Sequence, residues 1–486
     1  MKITWIKDSS KWKGCLFLFI SMNFYFIQNI TVYAQVDSLS VYLEIADRNN
    51  PTVLQRFADY QVALQKVPQV GSLPDPELNV GVFLTPMELV SGNQVADIRL
   101  MQMFPWFGVL KNAKDEMSLM AKAKFETFRD SKLQVYLDVQ RTWFDLYKTN
   151  QDIRISETNI QILRTLNRLA MVRYSTASSS GGGTSVSLGT SASAAPQNSA
   201  SSSGMQTMGG NSSGSSPSPP TSMQSASSMG STSGSTSLAD LYRIQIEIGD
   251  LENNVDLLKN QKNTIVAKFN SFLNRPPQSK VDIIDSLKTE SLNIPLLAVS
   301  DSMLKNNPML GMLQLEQLSL DSRKKMVTRM GYPMVGVGLN YTVIQKSDML
   351  TSAMNGKDMI MPMVTITLPI YRAKYKAMRT EADLMKSVTQ QNYKATSNAL
   401  QNDYYEAVQL FEDSNRRILL YQSQGALAKK SLDIMIKSFS SSGSGLSDVL
   451  RVRQQMLDYE FKEVEALVDF NTSIAWLKRL GNLEMQ

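Results

Sequence analysis

Two aspartate–arginine pairs are the residues of this chain best suited to chemistry. Asp240-Leu241-Tyr242-Arg243 and Asp448-Val449-Leu450-Arg451 share one spacing, which on a helix sets carboxylate and guanidinium a turn apart on the same face. Asp448 follows Ser447, and the two also suit a helix start, where a side-chain oxygen caps free N–H groups and a negative charge meets the positive dipole end. A second set, Met205, Met208, Met223 and Met229, offers thioethers, soft ligands of the kind that take Cu(I). Methionine is common in this chain, with 28 copies, and no pair in that stretch has a constrained geometry, so no metal site is assigned. Other reactive chemistry is thin. There is one cysteine, Cys15, and no histidine, which removes disulfides, imidazole ligands and histidine acid–base catalysis. No nucleophile–base pair, phosphate loop or dense carboxylate cluster stands out, so neither an enzyme nor a cofactor is expected.

The elements that position these residues come after an N-terminal segment of a different kind. Lys2, Lys7, Lys11 and Lys13 precede the apolar run Cys15 to Ile27, and Val32-Tyr33-Ala34 offers a small-residue cleavage site before Gln35. Residues 1–34 therefore read as a secretory signal peptide rather than a membrane anchor, the run being short and followed by polar residues. The whole chain carries a formal charge of +6; removing the four signal lysines and Asp8 leaves a surplus of only three, which argues against a nucleic-acid partner. No later segment is apolar enough to cross a membrane as a helix.

The rest of the chain is written twice. Asn50-Pro51 returns as Asn307-Pro308 and Pro76 as Pro333, both at an offset of 257, while Phe104-Pro105 returns as Leu368-Pro369 at an offset of 264. A repeat of that length is a duplicated half-domain rather than a solenoid unit. The halves are predicted at 35–275 and 301–486, with a connector over 276–300. Each half carries two segments of two-residue period, 77–85 and 95–104 in the first, 334–344 and 359–368 in the second. Residues 334–344, for example, set Val335, Val337, Leu339, Tyr341 and Val343 against Gly336, Gly338, Asn340 and Thr342. Strands of about ten residues with this alternation fit a membrane barrel or a soluble sheet half-buried on a core. Four strands cannot close a barrel wide enough for cargo, so a barrel would need several chains.

Long helices follow each strand pair, over 106–174 and 370–439, with no proline and one glycine apiece. As continuous helix each would run roughly 100 Å, and such lengths need partners along them. Return helices over 238–273 and 446–481 supply these, with Ile244, Ile248, Leu251 and Val255, then Leu457, Phe461, Val464 and Val468, forming a coiled-coil seam. Shorter helices are predicted at about 37–67 and 301–329. Trp143, Phe144 and Tyr147 read as packing between helices. Trp106 and Phe107, at the foot of the second strand, suit either an interfacial aromatic girdle or packing at the strand–helix junction. Between the first long helix and its return lies an insertion, 175–237, nearly all Ser, Gly, Thr, Ala, Pro, Gln and Met, without a charge between Arg173 and Asp240. It contains the four methionines above, and its composition predicts disorder.

The order of these features resembles the TolC-like outer-membrane efflux proteins over essentially the whole exported chain. The carrying residues are the two Asn-Pro pairs, Pro74-Asp75-Pro76-Glu77-Leu78, Gln102-Met103-Phe104-Pro105-Trp106-Phe107-Gly108, Thr367-Leu368-Pro369-Ile370-Tyr371, and Gly445-Leu446-Ser447-Asp448-Val449-Leu450. The cation-efflux members look nearest. The resemblance implies a mainly α fold with a small β portion, in which a homotrimer shares a 12-stranded outer-membrane barrel above a helical tunnel in the periplasm. It implies as partners outer-membrane lipid, a periplasmic adaptor and an inner-membrane transporter. Asp448 falls on an aperture acid of the family and Asp240 is its repeat counterpart, so threefold symmetry would make rings of like charge. The family often has a second acid where this chain has Arg451, matched by Arg243, so Asp–Arg bridges holding the tip shut stand beside a cation-selective constriction. The outer component of type I protein secretion shares the fold and stays open as an alternative. A secreted coiled-coil structural or adhesive protein is the alternative from another class.

Overall fold

The computed structural model describes residues 39–89, 91–179, 238–292, 295–349, 353–441 and 444–483. The expected signal peptide, nearly all of the 175–237 insertion and its four methionines lie outside the described residues. The elements run α1 (Leu39–Asn49), α2 (Pro51–Gly71), β1 (Glu77–Leu89), β2 (Gly92–Phe104), α3 (Val109–Ser179), α4 (Leu238–Phe272), α5 (Leu296–Asn306), α6 (Pro308–Met330), β3 (Met334–Gln345), β4 (Met359–Thr367), α7 (Arg372–Ser440) and α8 (Leu446–Leu480). Among the described residues no helix is long and apolar enough to cross a membrane.

Each short helix expected as a single piece is two. Asn50 sits between α1 and α2 in an extended conformation, and its side-chain oxygen accepts from the Thr52 and Val53 N–H groups at 2.9 and 3.3 Å. Pro51 then occupies the first helical position, where its missing N–H costs nothing. Asn307 repeats the device before Pro308, accepting from the Met309 N–H at 3.0 Å. A residue preceding proline is driven out of helical geometry, so both Asn-Pro pairs cut what apolar period alone reads as continuous.

The chain divides into two compact units. The first takes the described residues up to Arg154, Asp256–Gln422, and those from Phe461 onward; the second takes Ile155–Val255 and Ser423–Glu460. In the first unit the strands form one antiparallel sheet in the order β1-β2-β3-β4. Its register opposes Val335 to Ile366, Val337 to Val364 and Leu339 to Pro362, so one face is apolar. The alternate rows place Gly336 opposite Met103 and Thr365, and Gly338 opposite Met101 and Met363. Both proline positions in the sheet suit residues that cannot donate to a ladder. Pro362 lies on edge strand β4, and Pro86 lies where the β1–β2 register shifts between Val82 and Met87. That shift lets β1 and β2 run past the alternating segments read from sequence. They meet at Gly92, whose φ of 124° and close approach to the Gln345 carbonyl leave no room for a side chain.

The core of the first unit packs Tyr42, Val135, Trp143, Phe144, Tyr147, Phe269 and Leu273, with Tyr42 and Phe269 edge-to-face at 5.0 Å. The irregular connector after α4 is held from this core. Tyr42 and Tyr147 hydroxyls accept from the Asp282 and Leu287 N–H groups at 3.0 and 3.1 Å, and Asn471 accepts from Glu290 N–H at 3.0 Å. Side chains thus satisfy backbone groups that no ladder reaches. The second unit is built on Leu163, Leu166, Ala170, Leu241, Ile244, Leu432, Phe439, Val449 and Leu450, contributed by α3, α4, α7 and α8. Arg173 lies over the Phe439 ring at 4.6 Å and donates to the Phe439 carbonyl at 2.8 Å.

Candidate functional site

In the second unit Asp240 stands in the first turn of α4 and Asp448 in the first turn of α8, where the helix N-terminus favours an anion. Asp448 accepts from Arg451 at 3.2 Å along its own helix, an i,i+3 pair whose carboxylate side chain is 49% exposed and whose guanidinium side chain is 77% exposed. Such a pair is weak in isolation, so both groups are available to other partners. Asp448 and Arg451 meet Arg243 in a cleft of about 470 Å³ that Glu247, Asp250 and Gln454 also line. Asp240 is not among its lining residues.

Arg453 is the charged residue of this unit that sequence reasoning passed over. Its side chain is 1% exposed and pairs with Glu247 of α4, itself 27% exposed. The Arg453 Nε and Nη1 groups have no hydrogen-bond partner among the described residues. Burial pulls the guanidinium below its ordinary pKa, with Glu247 working against that shift. The signal was present in the spacing. Arg453 falls seven residues after Leu446 and three before Met456, on the apolar seam of α8, where a charge is out of place.

In the first unit the sheet has one chemically distinct face that sequence alternation showed only in part. Met359, Met361 and Met363 of β4 share it with Met101 and Met103 of β2, across the glycines of β3. A Cβ on Gly336 would come within 2.5 Å of the Met103 sulfur, so that thioether already occupies the space the missing side chain leaves. Arg99 and Asp97 on this face sit 3.9 Å apart. At the strand–helix passage Trp106 stacks on Tyr332 at 5.3 Å and touches Phe107, which is exposed. Tyr332 precedes Pro333, the repeat partner of Pro76, but nothing local in the sequence foretells its contact with Trp106. Among the described residues no group of three or more carboxylates is gathered to hold a metal ion.

A helical protein with one four-stranded antiparallel sheet, two long helices and a duplicated plan defines the class: the fold is that of the TolC-like outer-membrane channels. It is shared by CusC, with a TM-score of 0.68 at 13% identity over 93% of each chain. The CmeC outer membrane channel of Campylobacter jejuni matches with a TM-score of 0.68 at 12% identity, over 92% of this chain and 86% of its own. The MtrE outer membrane channel of Neisseria gonorrhoeae matches with a TM-score of 0.65 at 13% identity, over 91% and 88%. No protein-family model and no curated protein sequence matches the chain.

Proposed function

We propose that this protein is one third of an outer-membrane exit duct, through which small molecules or metal cations pass from periplasm to exterior. In this reading the exported chain begins after residue 34, and halves 35–275 and 301–486 are joined by 276–300. The observation that carries the proposal is the sheet. Its order leaves one edge of β1 and one of β4 unpaired, and its rows separate an apolar face from one of Gly, Met, Thr and Asn. A barrel in lipid requires that division and cannot keep a free edge. Three copies close twelve strands, with the Val335–Ile366 face toward lipid and the methionine–glycine face toward the lumen. The helices then stand in the periplasm, where an adaptor and an inner-membrane transporter meet the tip and do the energised work.

At the tip, threefold repetition turns the cleft of Arg243, Glu247, Asp448 and Arg451 into rings of alternating charge, and Asp240 adds an acid at the same end. Bridges between copies hold that end closed, and exchanging them opens it. The methionines at 205, 208, 223 and 229, in the insertion between α3 and α4, stay candidate soft-metal contacts with no site assigned. Purification from outer membranes in mild detergent tests the reading: a trimer that conducts ions across planar bilayers is expected. A stable non-conducting monomer overturns it.

A further inference from the structure

The first turns of α7 concentrate positive charge that the rest of the fold leaves unmatched. Arg372, Lys374, Lys376 and Arg379 are all exposed, the first turn holds no acid, and no ion pair joins any of the four to a carboxylate among the described residues. One turn further the pattern reverses. Arg323 meets Glu381 at 3.4 Å, Lys324 meets Asp383 at 2.7 Å, and Lys386 meets Asp321 at 2.7 Å. These four unpaired cations thus precede the paired stretch, in the turns of α7 nearest the sheet. They also sit in the unfavourable field of a helix N-terminus, where α4 and α8 carry Asp240 and Asp448 instead.

Beside these cations lies a cleft of about 670 Å³, lined among others by Tyr332, Pro333, Leu368, Arg372, Tyr375 and Arg379, with no carboxylate in its wall. Its position relative to the sheet is fixed by register. Val335 pairs with Ile366 on the apolar face, and two residues outward along those strands are Pro333 and Leu368. The cleft thus continues the apolar face directly into a basic, tyrosine-bearing wall. A site for a free anion has no use for that continuity; an amphiphile does.

We propose that this cleft binds the headgroup phosphate of a membrane phospholipid, one per chain, in the leaflet from which the helices emerge. The assignment rests on the barrel reading, because only then does the Val335–Ile366 face meet acyl chains. Arg372 and Arg379 supply forked donors that match phosphate oxygens, and the Tyr332 and Tyr375 hydroxyls supply further donors. The acyl chains rise along the apolar strand rows. An anionic headgroup gains over a zwitterionic one, because Lys374 and Lys376 add to the field without a competing ammonium.

The test uses the full chain in detergent, titrated with phosphatidylglycerol and read by native mass spectrometry, with phosphatidylethanolamine and inorganic phosphate as further arms. A cation close to a headgroup is worth about fivefold in affinity, so R372Q/R379Q is expected to weaken phosphatidylglycerol binding about twenty-fivefold and R379Q alone about fivefold. Phosphatidylethanolamine is expected to bind more weakly through the same arginines, and millimolar inorganic phosphate to leave the lipid in place. Equal lipid affinity in wild type and both variants, with helix content unchanged, overturns the site. Displacement by inorganic phosphate overturns the headgroup assignment. Conductance of the same preparations reports separately on the duct. A conducting protein with arginine-independent lipid binding loses only the cleft, and a non-conducting one with arginine-dependent binding loses only the duct.

Discussion

Replacing either member of the Arg453–Glu247 pair should have very unequal consequences for the second unit. Glu247→Gln leaves a guanidinium that is 1% exposed with no counter-charge. Stranding a buried charge costs about 3–5 kcal/mol, and partial exposure of Glu247 brings the expected loss to about 2–3 kcal/mol. Arg453→Met removes the charge itself, together with two N–H groups that have no acceptor among the described residues. An unsatisfied buried donor costs about 1–3 kcal/mol, so its removal offsets the lost attraction and the net change is expected to lie near zero or to stabilise by about 1 kcal/mol. The glutamate left behind, 27% exposed, keeps part of its hydration. A methionine on the seam also packs with Val449, Leu450 and Met456. Hydrogen exchange of α8 amides, read residue by residue in detergent, measures local opening of this unit. Exchange in Glu247→Gln should accelerate by about thirtyfold or more, while Arg453→Met should stay within about fivefold of wild type. If Arg453→Met opens the unit more than Glu247→Gln does, the ledger is wrong and the arginine is a net stabiliser.

Two other substitutions probe the first unit. Burial raises the Asp152 carboxyl from 3.8 to about 6, with Lys148 opposing and Glu465 assisting. A raised acid binds its proton more tightly in the folded state, so stability falls as pH climbs from about 4 to 6 and stays lower above. Asp152→Asn should therefore raise resistance to guanidinium at pH 8 by about 1–2 kcal/mol after solvent screening, and change it little at pH 4. A gain of equal size at both pH values contradicts the burial argument. Gly92→Ala forces a Cβ to within 2.5 Å of the Gln345 carbonyl at a φ of 124°, an expected cost of about 2–3 kcal/mol. The guanidinium midpoint of the variant against wild type is the measurement, and an unchanged midpoint contradicts the turn geometry.

Much of this architecture is legible in the sequence because its signals are local and repeated. Two-residue alternation marks β3 and β4 almost to their ends, and the lack of proline with at most one glycine marks α3 and α7. What escaped depends on partners far away in the chain. Glu247 and Arg453 are separated by 206 positions, and neither looks special until the seam of α8 is drawn through the second. The ends of β1 and β2 escaped because Pro86, Glu88 and Asn93 interrupt the apolar rhythm, while pairing across the hairpin carries the strands through. The Asn-Pro pairs were visible as repeat markers, yet their action as helix breaks becomes clear only when the side-chain oxygen of Asn50 is seen on Thr52 and Val53. The stack of Trp106 on Tyr332 likewise needs the fold before it can be read.

The bare outer edges of β1 and β4 carry a consequence for the cell that makes this protein. In hydrocarbon each unmatched amide or carbonyl along them costs several kcal/mol, so a lone copy gains little by inserting. If three copies close the barrel as proposed, leakage is tied to completion, because an incomplete assembly still carries unpaired edges. On that reading permeability arrives in a single step, when the last pair of edges is joined.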